Sequence, residues 1–120
     1  MSCWQTTWNK KFYDYKRLVA DFKEGRTLEI KNSKGMAKMN VVPCVGDLVF
    51  VSCDKKKIMA CIVISEFEVG EGGGFDEYCI NVKGSSRHMI NNTFLRLKIT
   101  EVYDKCDVML GQQRTWVKLK

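Results

Sequence analysis

Three short stretches of this chain carry side chains whose types and spacing could do chemistry. In RTLEIK, Glu29 follows Arg26 by three positions and precedes Lys31 by two, with Lys34 close behind. A carboxylate set among cations can accept from a base's exocyclic amine or, in an enzyme, move a proton, while the cations hold phosphate. Strand alternation divides the set, since Thr27, Glu29 and Lys31 share one face and Arg26, Leu28 and Ile30 the other. Arg26 therefore reaches a common site from the start of the strand, where Gly25 lets the chain turn, or it faces elsewhere. At the second stretch, Trp4 and Trp8 flank Gln5, Thr6 and Thr7, and Lys10 and Lys11 follow. Flat aromatic surfaces interleaved with hydrogen bonders and positive charge suit base recognition, where stacking contributes about 1–3 kcal/mol per base. The favoured reading of each indole taken separately is nonetheless a core residue capping an open end of the barrel. The third stretch, SSRHM, contains the single histidine, His88, beside Ser85, Ser86 and Arg87. Neighbours in sequence seldom reach triad geometry, so Arg87 as a phosphate contact or a solvated loop arginine is the better reading.

The elements that must position these residues follow from periodicity. Phe12, Tyr15, Leu18, Val19 and Phe22 recur at helical spacing, with Asn9 as a candidate N-cap and Gly25 as the C-terminal stop. Beyond the helix the period becomes two. Strands are expected at 27–30, 48–53, 57–66, 78–82, 94–102 and 115–119, with IMACIVI buried on both faces and Leu95, Leu97 and Ile99 inward against Arg96 and Lys98 outward. The 48–53 and 57–66 strands form a hairpin. Gly46-Asp47 is the turn that launches it, with Asp47 bonding the backbone two residues on rather than acting in catalysis. The run GEGGG lacks the spacing of a phosphate loop and lies in an acidic segment, so it reads as a hairpin connection. About six short strands with an early helix predict an α+β fold, a small and partly closed β-barrel with the helix packed against it.

At 120 residues the chain is expected to be one domain, 1–120, able to bury a self-sufficient core. No apolar run is long enough for a membrane helix and no signal peptide is evident, so an intracellular protein is expected. The six cysteines are isolated and form no C-x-x-C pair, which makes a metal site improbable and reduced core thiols the expectation. No cofactor motif is present. The net charge of +6 is concentrated early, with nine Lys/Arg against four Asp/Glu in residues 1–42 and eleven against ten thereafter. Such an excess suits an anionic partner such as a phosphate backbone, or is a solvated lysine-rich surface.

The ordered combination of a helix, EGRTLEIK and PCVGDLVFV resembles the ASCH family of the PUA-like superfamily, whose pattern is a helix ending in glycine, a G-x-K-x-x-E-x-R strand, and a Gly-Asp turn into a core strand. Glu29 matches the motif glutamate, Lys31 stands at the motif arginine and Arg26 at the motif lysine. The segment KIMACIVISEFEV resembles the strand that follows. The ending GQQRTWVKL and the early Trp4 are similar to the related EVE domains. The resemblance covers residues 12–69 well and the rest weakly. It implies a PUA-like β-barrel whose cleft binds RNA or a nucleoside, with EVE and YTH relatives placing modified bases in aromatic pockets.

Some members of that family are amidohydrolases acting on acetylcytidine, with the motif lysine as a key catalytic group. Arg26 departs from them here, because a guanidinium stays protonated and cannot act as a base. Three functions are thus expected from the sequence. The leading one is a non-catalytic RNA- or modified-nucleobase-binding module, monomeric, using Trp4, Trp8, Lys10, Lys11, Arg26, Glu29, Lys31, Lys34 and Arg87. Another is a nucleoside amidohydrolase using Glu29, Lys31 and Lys34. The last is a protein-interaction module.

Overall fold

A computed structural model of the chain describes residues 1–8, 13–33, 41–53, 57–70, 78, 92–103 and 116–119. Among these residues are one helix and a mixed sheet. The strands are β1 (Cys3–Trp8), β2 (Glu29–Ser33), β3 (Leu48–Cys53), β4 (Lys57–Val63), β5 (Glu68–Gly70), β6 (Asn92–Tyr103) and β7 (Trp116–Leu119), and α1 spans Tyr15–Lys23. The sheet runs β2-β6-β4-β3-β1-β7, with β5 paired to β6 off that path. Among the described residues β2 pairs with β6 alone and β7 with β1 alone, so this part of the sheet is open at both edges.

Each end of α1 has a local cause. Asp14 caps the start, its Oδ1 accepting from the Arg17 N–H at 3.1 Å. The expected cap, Asn9, lies outside the described residues, as does Phe12; the helix begins later because a capping carboxylate is already in place at Asp14. Gly25 adopts φ +87° at the other end. Its N–H donates to the Phe22 carbonyl at 3.0 Å and that of Arg26 to the Asp21 carbonyl at 3.3 Å, the paired bonds of a Schellman stop. Leu18 and Val19 then turn into the core.

The hairpin β3–β4 is antiparallel with Val49 opposite Cys61 and Val51 opposite Met59, all four buried. On β6, Leu95, Leu97 and Ile99 point into the same core, and Arg96, Lys98 and Thr100 point out. Leu28 and Ile30 join the core from the neighbouring edge. The strand there starts at Glu29 rather than Thr27, because residues 26–28 are still leaving the helix stop, yet its alternation has the expected phase. β4 is shorter than expected, ending at Val63, and Ile62 is exposed, so IMACIVI is not buried throughout. Of the expected 78–82 strand, Tyr78 alone is described; it is a buried turn residue whose hydroxyl donates to Asp21 Oδ2 at 2.8 Å.

β1 has no counterpart among the expected elements. It lies between β3, to which it is parallel, and β7, to which it is antiparallel. Trp4, Gln5 and Thr6 are all buried, as befits a strand with neighbours on both sides. The radius of gyration, 13.3 Å, matches the roughly 13.6 Å of one compact unit of this length. No helix among the described residues is long and apolar enough to cross a membrane.

Candidate nucleic-acid interface

Two sets of polar residues stand out in this fold, one inside and one outside. The inner set centres on Asp47. Gly46, at φ +95°, lets the chain double back so that the Asp47 carboxylate faces the start of β1. Its Oδ1 accepts from the Ser2 N–H at 3.0 Å, and its Oδ2 accepts from the Cys44 N–H at 2.9 Å and the Trp4 indole Nε1–H at 3.0 Å. The bond from Cys44, joined by those from Ser2 and Trp4, outweighs burial and holds the carboxyl below the usual aspartate range. Backbone bonds between Gly46 and Val63 and between Val63 and Asp47, each 2.9 Å, tie the same turn to the end of β4. Asp47 is thus a structural anchor, though not through the bond expected of it: instead of the backbone two residues on, its carboxylate takes the Cys44 N–H three residues before it and the Ser2 and Trp4 donors at the start of β1.

Trp4 belongs to this anchor. Its ring is 3% exposed and packs in the core, with the Lys118 ammonium 5.9 Å from its centroid. The indole offers no open face to a base, which corrects the reading of Trp4 as a stacking platform: its N–H finds a buried carboxylate and its faces find the core. Arg26 is also placed apart. Its Nη1 donates to Asp21 Oδ2 at 2.9 Å, the oxygen that also accepts from Tyr78, so the guanidinium leans on α1.

The outer set is built by β2 and β6. Register places Glu29 opposite Lys98, Lys31 opposite Arg96 and Ser33 opposite Phe94. Lys31 Nζ sits 5.2 Å and the Arg96 guanidinium 5.9 Å from the Phe94 ring centroid. Although it points outward, Phe94 is 6% exposed. Two like charges directly opposite each other on antiparallel strands lie about 5 Å apart at Cβ and repel; the shared aromatic face offsets that repulsion. On the other flank β5 runs beside β6, and Glu68 Oε2 accepts from Arg96 Nε at 3.3 Å. Between β4 and β5 the Arg96 N–H donates to Ser65 Oγ at 3.0 Å, so a side chain replaces a strand carbonyl and lets the four residues 64–67 span what two, Leu95 and Arg96, cover on β6.

Known families, curated proteins and solved structures provided no match to the chain.

Of the residues singled out in the sequence, the outer face unites Glu29 and Lys31, and it separates them from Trp4 and Arg26. Trp8 lies in β1, but its side chain is outside the described set, and so are Lys10, Lys11, Lys34, Arg87 and His88. Arg96 and Lys98 complete the outer cluster without having been site candidates. Their outward phase on β6 was readable; their pairing with β2, more than sixty positions earlier, was not. Cys61 is buried, and burial pushes its thiol pKa up, whereas Cys44 is exposed and Cys3 half-buried. Of the cysteines in the apolar runs VFVSC and MACIVI that carried the expectation of core thiols, Cys61 is in the core, and the side chain of Cys53 lies outside the described residues.

Proposed function

We propose that the protein is an RNA-binding module of PUA-like build, acting inside the cell without catalysis, whose binding face is the outer surface of β2 and β6. The observation that supports this reading is the directly opposed pair Lys31 and Arg96, held over one aromatic ring. A sheet that places two cations face to face gains when an anion bridges them, and side chains already confined over a ring lose less freedom on binding. Lys98 lies two residues along the same strand, about 7 Å away, so a phosphate backbone can engage all three cations. Glu29, opposite Lys98, accepts from an exocyclic amine of a base laid across β2. In the PUA-like arrangement proposed here, β2 and β7 approach each other to close the barrel. The resemblance of EGRTLEIK to the ASCH strand supports this reading independently of the geometry.

Fluorescence anisotropy with a single-stranded RNA checks it. Binding should weaken with salt at a slope of about −0.7 per phosphate contacted. Replacing Lys31 and Arg96 together by Ala should lower affinity at least tenfold and reduce the slope by about 1.4, that is, by two contacts. Undetectable binding at low salt, or a slope the double substitution leaves intact, would reject the assignment.

A further inference from the structure

Phe94 occupies a position that neither the core nor the phosphate contacts explain. It shares the outward phase of β6 with the exposed Arg96, Lys98 and Thr100, yet it is buried. The apolar cluster that gathers Leu95, Leu97 and Ile99 does not include it. Its register partners are polar on both sides, Ser33 on β2 and Glu68 on β5, whereas an aromatic on a sheet surface ordinarily packs against an aromatic or branched neighbour. Among the described residues, the groups that lie over its ring are the Lys31 ammonium at 5.2 Å and the Arg96 guanidinium at 5.9 Å.

That cover leans in from the next rung of the ladder. Lys31 and Arg96 face each other about 7 Å along the strands from the Phe94–Ser33 pair, so both heads reach along the sheet to meet the ring. The Arg96 side chain is 46% exposed, and cation–π contacts at such sites are weak beside a charge-assisted bond to phosphate. An anion seated between the two opposed heads draws them back to their own rung and bares the ring. Returning that apolar area to water is unfavourable, and a nucleobase laid on the ring covers it again by stacking. Resting on the RNA-binding reading of the β2–β6 face, we infer that Phe94 is its base-stacking platform, closed by the phosphate-binding cations themselves, and that the ligand is RNA with unpaired bases. A duplex offers phosphate but keeps its bases paired and stacked, so it leaves the ring bare.

The test uses the full chain and anisotropy at low salt with fluorescein-labelled probes: a short single-stranded RNA, that strand annealed to its complement, and an abasic oligonucleotide of the same length. Phe94→Leu keeps an apolar side chain beneath the cations and removes the ring. It should weaken single-strand binding at least about fivefold and change abasic and duplex binding by less than about twofold. The salt slope on the single strand should stay the same, because the phosphate contacts remain. Phe94→Tyr restores the ring and should bind within about twofold of wild type; circular dichroism and urea unfolding verify that both variants fold. Unchanged single-strand binding by Phe94→Leu, or an equal loss on the abasic strand, would overturn the inference, the latter because the ring would then only position the cations. Failure of the wild-type chain to bind any probe would overturn the RNA-binding reading as well, whereas binding that depends on Lys31 and Arg96 but not on Phe94 overturns the platform alone.

Discussion

Asp47 and Glu68 are both carboxylates that accept from nitrogen at hydrogen-bonding distance, yet their surroundings give them opposite roles. Asp47 is enclosed by donors from Ser2, Trp4 and Cys44, whereas Glu68 meets Arg96 Nε on a surface where both side chains remain about half exposed. The Trp4 N–H is fully withdrawn from water and the Ser2 and Cys44 N–H groups partly so, and removing the acceptor strands the first and weakens the others. At the surface, water substitutes for either partner, so the pair contributes little to stability and can exchange for another anion. Burial, rather than residue type, separates the charges that hold this fold from those available to a ligand.

The largest effect that could break this contrast belongs to Asp47→Ala. Three donors lose their acceptor, and a loss of about 3–5 kcal/mol in urea unfolding is expected, a large share of a small domain's stability. Acid provides the companion measurement. Because the folded pKa of Asp47 lies below its unfolded value, its contribution is present above the unfolded aspartate pKa of about 3.9 and is lost as pH falls through the folded value. Wild type should therefore lose stability steeply below about pH 4, and Asp47→Ala should flatten that fall. An equally steep fall in the variant would remove Asp47 from the account.

Next in size is Glu68→Gln, which frees the Arg96 guanidinium from its carboxylate. RNA affinity should rise about two- to fivefold, unfolding should shift by less than about 0.5 kcal/mol, and the gain should vanish in an Arg96→Gln background. A gain that persists there would reflect net charge alone. Smallest is Arg26→Ala. Its pair with Asp21 is on the helix side of the molecule and partly exposed, so both RNA affinity and stability should change by no more than about twofold and about 0.5 kcal/mol. A large loss of RNA binding would return Arg26 to the binding face and weaken the separation drawn here.

Much of this arrangement is legible in the residues because it is local. The 48–53 strand, its hairpin, the inward phase of Leu95, Leu97 and Ile99 and the stop at Gly25 all follow from spacing and from one glycine's backbone freedom. β1 escapes such a reading because its Gln5-Thr6-Thr7 core is polar, and apolar periodicity has nothing to detect where burial is satisfied by hydrogen bonds. Trp4 illustrates the same limit. Flanked by polar residues it suggests a ligand platform, and its actual partner is a carboxylate 43 positions away. Of the outer cluster, Glu29 and Lys31 were visible as a pair on one strand face, while Arg96 joins them through a pairing that no local pattern encodes.

The parallel pairing of β1 with β3 also bears on the order in which the chain assembles. Closing a loop of more than forty residues is entropically slow compared with forming the β3–β4 hairpin, so β1 docks after its acceptor strand exists, and β7 docks after β1. Until then the segment CWQTTW waits with its backbone exposed. An apolar strand in that position would invite pairing between unfinished chains, whereas a Gln-Thr-Thr centre stays hydrated until the Asp47 turn is ready to receive it.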